Sequence, residues 1–211
     1  MKKIRLSIMS ALLMAHVVTS LAAMAAQEPQ GVLPGARTGE RFEILLEPGE
    51  YYSKDVNYLV YRYTVWPQVA VWIETPEGDY IDTLYVTRVV VDQDFNAAPD
   101  EGRPEALPVW SHLTASDSAV DAVTSATTVG SDVYYGNDIA ADLPDGKYVI
   151  KLETNRSYDW NSTYTKKNSG VNGQPSLLYY AEVEVGGEDV TVDLIPYAVG
   201  SVDGSDGNIN T

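Results

Sequence analysis

Val69-Ala70-Val71-Trp72-Ile73-Glu74, followed by Thr75-Pro76-Glu77-Gly78-Asp79 and then Tyr80-Ile81-Asp82-Thr83-Leu84-Tyr85-Val86, is the stretch on which the fold is read. Val69, Val71 and Ile73 alternate along the first run, and alternate side chains of a strand point to one face of a sheet. The centre has turn chemistry, since proline presets one backbone angle and glycine accepts angles closed to other residues. Tyr80 to Val86 is again rich in aromatic and β-branched residues, so the segment predicts a β-hairpin. Trp72 has the parity opposite to Val69, Val71 and Ile73. Either it is exposed for a ligand, or this sheet is covered on both sides.

The same two-residue period extends outward. Phe42, Ile44 and Leu46 alternate with Glu43 and Glu47 ahead of a Pro48-Gly49 turn, and Tyr58 to Thr64 is rich in Tyr and Val. Tyr148, Ile150 and Leu152 oppose Lys147, Lys151 and Glu153. Leu177, Tyr179, Ala181, Val183 and Val185 face one way and Glu182 and Glu184 the other, before Gly186-Gly187-Glu188 turns the chain into Val190, Val192 and Leu194, a second hairpin. Asp92 to Asp132, interrupted by Pro99, Pro104 and Pro108, is expected as a long loop anchored by Trp110 and Leu113. Arg156 to Gln174 is expected as a polar excursion. No segment sustains a helical period, so the pattern predicts an all-β, antiparallel β-sandwich with long loops at its ends. The folded domain is expected over residues 41–195, after an extended leader at 26–40 and before a mobile acidic tail at 196–211.

The chain has 211 residues, with 30 acidic side chains against 14 basic ones and a formal charge of -16. A polyanion is repelled by such a surface, which argues against nucleic acid and against anionic membranes. With 45% hydrophobic and 10% aromatic residues the chain can bury a core. The absence of cysteine removes disulfides, thiol catalysis and every thiolate metal site.

Residues 1–25 read as a signal peptide. Lys2, Lys3 and Arg5 form a basic n-region, Ile8 to Ala15 an apolar run, and Ala23-Met24-Ala25 a small-residue cleavage site. The apolar run is too short for a spanning helix, which needs about 20 residues. Cleavage removes three basic residues and no acidic one, leaving 11 against 30, a charge of -19. The expectation is a periplasmic or secreted protein without a membrane span after processing.

Three motifs in order carry a family resemblance: the quoted hairpin, Val120-Asp121-Ala122-Val123-Thr124-Ser125-Ala126-Thr127, and Asp145-Gly146-Lys147-Tyr148. Over roughly residues 58 to 185 the chain resembles the bacterial exported family known as domain of unknown function 2271. The resemblance implies an immunoglobulin-like sandwich related to that of flagellar hook-capping proteins, and a cell-envelope compartment. It implies no chemistry, and a role in hook assembly would rest on fold analogy alone.

Candidate chemistry is therefore weighed residue by residue. Asp121, Thr124 and Thr127 resemble the signature of periplasmic domains that carry flavin mononucleotide on a threonine, with Thr127 as acceptor, but Ser125 stands where that pattern has Gly. A loop stabilised by its own Asp and Thr side chains is the simpler reading. Every imidazole mechanism would need His112, since His16 leaves with the signal peptide. Ser111 and Asp117 beside it lack a nucleophile elbow. Asp132, Asp138 and Asp142 form one oxygen-rich cluster and Asn155, Asp159 and Asn161 another, both suited to Ca²⁺. Asp203 to Asn208 resembles a calcium loop without its bidentate Glu. Trp72, Trp110 and Trp160 are the candidates for stacking on a sugar, against a packing role. The resulting expectation is a non-catalytic binding or structural module whose partner is a protein or glycan of the envelope. No cofactor is expected, neither flavin mononucleotide nor any other, and Ca²⁺ is the one candidate should the oxygen-rich clusters hold an ion. An accessory flavin protein and a carbohydrate-binding module are the alternatives.

Overall fold

The structure is a computed structural model, and it describes residues 3–8, 41–47, 49–58, 61–93, 95, 102–115 and 133–211. Its strands are β1 (Lys3–Ile8), β2 (Arg41–Leu46), β3 (Lys54–Tyr58), β4 (Tyr61–Val65), β5 (Gln68–Glu74), β6 (Tyr80–Val86), β7 (Val133–Asn137), β8 (Gly146–Asn155), β9 (Leu177–Val185) and β10 (Thr191–Val199). Three short helices are α1 (Arg88–Val91), α2 (Pro108–Thr114) and α3 (Lys166–Ser169).

The expected first hairpin forms as β5 and β6, and its turn places Gly78 at φ +97°, a backbone angle that favours glycine. β5 then pairs with β8, β8 with β9 and β9 with β10, all antiparallel, giving a five-stranded sheet in the order β6-β5-β8-β9-β10. The ladder continues through β1, parallel to both β10 and β2, to β7. The strands thus form one continuous ladder and a separate β3–β4 hairpin, where a sandwich pattern calls for two sheets. β1 lies within the segment read as a signal peptide, which the structure seats as a strand.

One face of the five-stranded sheet carries Val71, Ile73, Ile150, Leu152, Val183 and Leu194, and it shares its core with Phe42, Ile44 and Leu46 of β2. For β2 to reach that core the sheet must curl over itself. Full burial of each such side chain contributes about 1.5–3 kcal/mol.

The opposite face is also covered. Ala70, Trp72, Val86, Leu178 and Ala198 pack with Val90, Leu107, Val109 and Trp110 in a second core. This settles the parity of Trp72: it is fully buried, with its indole N–H donating to Glu74 Oε1 at 2.6 Å. The segment expected as a loop over Asp92 to Asp132 supplies the cover, through a short 3-10 turn at Pro104–Ala106 and α2. Glu153, which alternation placed on the face opposite Ile150 and Leu152, is fully buried beneath it. Its carboxylate accepts the backbone N–H groups of Val109 (3.2 Å) and Trp110 (2.8 Å) and the Ser176 hydroxyl (2.5 Å). These are amides that the first turn of a helix leaves without intrahelical partners, so a glutamate on the sheet satisfies the start of α2. Arg103 locks the same cover to the chain beyond β8. Its guanidinium donates to Ser157 Oγ (2.6 Å), Asn172 Oδ1 (3.0 Å) and Glu105 Oε1 (3.0 Å).

Beyond residue 195 the chain continues β10 and then folds back on it. β10 runs on to Val199, and Val199 and Asn210 exchange backbone hydrogen bonds of 2.9 and 2.8 Å. Gly207 approaches His112 so closely that a Cβ there would lie 2.6 Å from the His112 Cβ.

Candidate functional site

Between β2 and β3 the chain turns through Gly49 to Ser53, and between β8 and β9 it makes the polar excursion expected over residues 156–174. These two connections face each other across the end of the first core. A groove of about 700 Å³ opens between them. Its floor is a continuation of the core: Leu46, Val69, Leu152 and Tyr179 belong to both. Leu177, 37% exposed, forms one wall, and Tyr51, 77% exposed, stands at the rim. Tyr52 lies behind the rim, its ring 6.0 Å from that of Trp66. Burial pushes the Tyr52 and Tyr179 phenols above their ordinary pKa. Tyr85, on the strand behind, is pushed up to about 12 by burial and then by the neighbouring Tyr52.

The rim is organised by Arg156, the first residue after β8. Its Nη1 donates to the carbonyls of Tyr51 and of Ser53 (3.3 Å), and its Nη2 donates to Asp159 Oδ1 at 2.8 Å. One guanidinium therefore ties together two connections about a hundred residues apart. Asp159 Oδ2 accepts from Gln174 Nε2 (2.9 Å), and Gln174 Oε1 accepts from Asn161 Nδ2 (2.9 Å). Asn161 Oδ1 takes the amides of Thr163 and Tyr164, both at 2.8 Å, a local turn of the kind asparagine side chains build. Tyr158 sits at φ +62°, a conformation rare for a residue with a side chain. Its carbonyl accepts the Lys54 ammonium at 2.6 Å, which ties the β3–β4 hairpin to the same loop. Gly173 passes the Asp159 backbone so closely that a Cβ would lie 2.5 Å from it.

The residues singled out by sequence fare differently. Asp121, Thr124, Thr127 and Asp132 lie outside the described residues, as does the side chain of Asp138. Asp142 is exposed. Asp159 and Asn161 are linked through Gln174, while Asn155 points its amide toward Glu105. Both Asp159 oxygens and the Asn161 oxygen already accept protein N–H groups, and Asn155 Nδ2 donates to the Glu105 carbonyl at 3.5 Å. Among the described residues there is no group of three or more His, Asp or Glu that could hold a metal ion. Trp72 and Trp110 are buried in the second core and offer no stacking face; Trp110 donates its indole N–H to Thr83 Oγ1 at 2.9 Å. Trp160 lies on the loop outside the groove, its ring centroid 5.4 Å from that of Tyr158 in an edge-on arrangement and 5.9 Å from Lys54 Nζ. His112 donates its Nδ1–H to the Pro108 carbonyl at 2.8 Å within its own helix.

Sequence reasoning did not find the groove or Arg156. The one available signal was position: an arginine following directly on the confident β8 run, at the start of an excursion rich in Asn, Asp and Gln.

The fold and site define a mostly β protein, with a few short helices and a groove floored by core side chains. Residues 54–168 match the family described as predicted periplasmic protein (DUF2271), and the chain belongs to that family. The match includes Arg156, Asp159 and Tyr164 of the groove and leaves out Tyr51, Tyr52 and Leu177. The family's compartment agrees with the export expected from residues 1–25. No curated protein and no solved structure matches the chain.

Proposed function

We propose that this protein is a non-catalytic binding module of the cell envelope that holds a small apolar molecule in the groove at the end of its first core. The observation that carries this reading is the groove itself: about 700 Å³, floored by core side chains, with a rim already hydrogen-bonded. A largely apolar concavity with few convergent polar groups is the form small-molecule sites take. A non-catalytic role is supported by the engagement of Asp159 with Arg156 and Gln174, and by the position of His112 on the opposite layer. We also read the curled sheet as an immunoglobulin-like sandwich in which β2 and β7 supply the second layer, supported by the packing of Phe42, Ile44 and Leu46 into the first core.

The glycan alternative loses its footing in the burial of Trp72 and Trp110. The test uses Nile red, a neutral apolar dye, as the probe. Its fluorescence should rise on mixing with the protein and should stay at the free-dye level with Leu177→Trp, which fills the groove from an exposed wall. Equal enhancement by both proteins would place the dye elsewhere and defeat the reading.

A further inference from the structure

β1 is the one strand of the ladder built from residues with the marks of an export signal, in a chain whose family is periplasmic. Its two neighbours both run parallel to it: β2 pairs Arg41 to Leu45 with Lys3 to Ser7, and β10 pairs Thr191 to Leu194 with Arg5 to Ile8. Among the described strands no other pairing joins β2 to β10. Strands in a sheet stand about 4.8 Å apart, so without β1 the two borders lie about 10 Å from each other, each with a row of backbone N–H and C=O groups facing the gap. β2 is held by Phe42, Ile44 and Leu46 in the first core, and β10 by β9 and by Leu194 in that same core. Closing the gap would drag one border across packed side chains. An opening one strand wide between two fixed strands is a site for an added strand.

The chain's other unpaired segments do not suit it. A strand paired on both sides excludes proline from its middle, because proline has no N–H to donate. The leader at 26–40 contains Pro29 and Pro34, and between Pro34 and Arg41 its only apolar side chain is Ala36. The tail past β10 is already engaged, Asn210 with Val199. A second copy has only the same segments to offer. The register of β1 describes what does suit. Ile4 stands opposite Phe42, Leu6 opposite Ile44 and Val192, and Ile8 opposite Leu194, while Arg5 stands opposite Glu43 and Thr191, and Ser7 opposite Leu45 and Asp193. Arg41 answers Glu43 at 2.9 Å, but without residues 1–25 the chain keeps 11 basic side chains against 30 acidic, so a basic strand is drawn to it. We infer that export removes β1 and that the gap between β2 and β10 takes, in the same direction, an extended segment of another envelope protein, with aliphatic residues at alternate positions and a basic residue between them.

The probe is a synthetic peptide of the sequence Lys2–Met9, which has that chemistry, labelled with a fluorophore and added to protein purified from a periplasm and checked by intact mass. Its fluorescence anisotropy should rise and saturate, and amide hydrogen exchange should slow at residues 41–45 and 191–194 together. A peptide with Leu6→Pro, which removes a ladder donor, should bind about tenfold more weakly, and one with Arg5→Glu about threefold more weakly. The unprocessed chain of 211 residues, with its own β1 seated, should take up no peptide at concentrations that saturate the processed one. Absence of binding, protection at only one border, or equal binding of the Leu6→Pro peptide or by the unprocessed chain overturns the inference. Slow exchange at both borders before any peptide is added would show the gap closed or filled by this chain itself, and a mass that includes residues 1–25 would show β1 retained; each overturns it as well. Equal binding of the Arg5→Glu peptide removes the basic residue from the assignment.

Discussion

Glu153→Gln should change how stability depends on pH, by an amount that can be worked out from the buried carboxylate. Burial raises the Glu153 pKa from 4.5 to about 7, against the pull of the Ser176, Trp110 and Val109 hydrogen bonds and of nearby His112. A glutamate in the unfolded chain keeps the lower value. Between pH 4.5 and about 7 the folded protein therefore holds one proton that the unfolded chain has released, and stability falls as pH rises through that window. Below 4.5 the contribution is fully present; above about 7 it has been lost and no further change follows. A displacement of about 2.5 units at about 1.4 kcal/mol per unit gives about 3 kcal/mol in total.

Glutamine does not titrate, and its misplaced amide facing the Val109 N–H adds an offset that is the same at every pH. Other carboxylates titrate alike in both proteins, so the difference in urea-unfolding free energy between variant and parent isolates this one group. That difference should shift by about 3 kcal/mol in the variant's favour between pH 4.5 and 8. A difference that stays flat within about 0.5 kcal/mol, or moves the other way, would show that the carboxylate is ionised in the folded state throughout and that the cover over the sheet admits water.

Three further outcomes follow from particular contacts. Gly173→Ala puts a Cβ 2.5 Å from the Asp159 backbone at a residue with φ +85°, so it should cost about 3 kcal/mol in thermal or chemical unfolding and abolish Nile red binding. Unchanged binding would mean that the loop is not the groove's wall. Arg103→Met leaves Ser157 and Asn172 facing an apolar side chain under the second layer and should cost about 3–5 kcal/mol, and a loss below about 1 kcal/mol would show the arginine to be peripheral. A chain beginning at Ala26 should fold, since β2 is anchored through Phe42, Ile44 and Leu46, and both β2 and β10 run parallel to the strand that is removed. Protein recovered from a periplasm should have the intact mass of that shorter chain; an unfolded circular dichroism spectrum for it would make β1 indispensable.

The strands were legible because a two-residue period is a strong local signal, and β5, β6, β8, β9 and β10 fall where alternation put them. The parity argument reached further than it could support. It put Glu153 and Lys151 opposite Ile150 and Leu152 without deciding whether that face is covered, and there Lys151 donates to the buried Glu74 at 2.6 Å. The run Val69 to Ile73 did contain the contrary signal: five residues without a charge are what a strand buried on both faces looks like. What covers that second face was not legible, because the prolines at 104 and 108 read equally well as loop punctuation or as first positions of short helices.

The groove was less legible still, for a reason that bears on its use. Arg156 is held by the carbonyls of Tyr51 and Ser53, and a backbone carbonyl is the same at every residue, so no pattern of side chains announces the pairing. Tyr158 at φ +62° and the close passage of Gly173 over Asp159 are likewise products of the assembled loop. These same contacts join the two connections before any ligand arrives. A molecule entering the groove then meets walls whose ordering has already been met by folding, and the cost of immobilising loops that usually weakens association is largely absent.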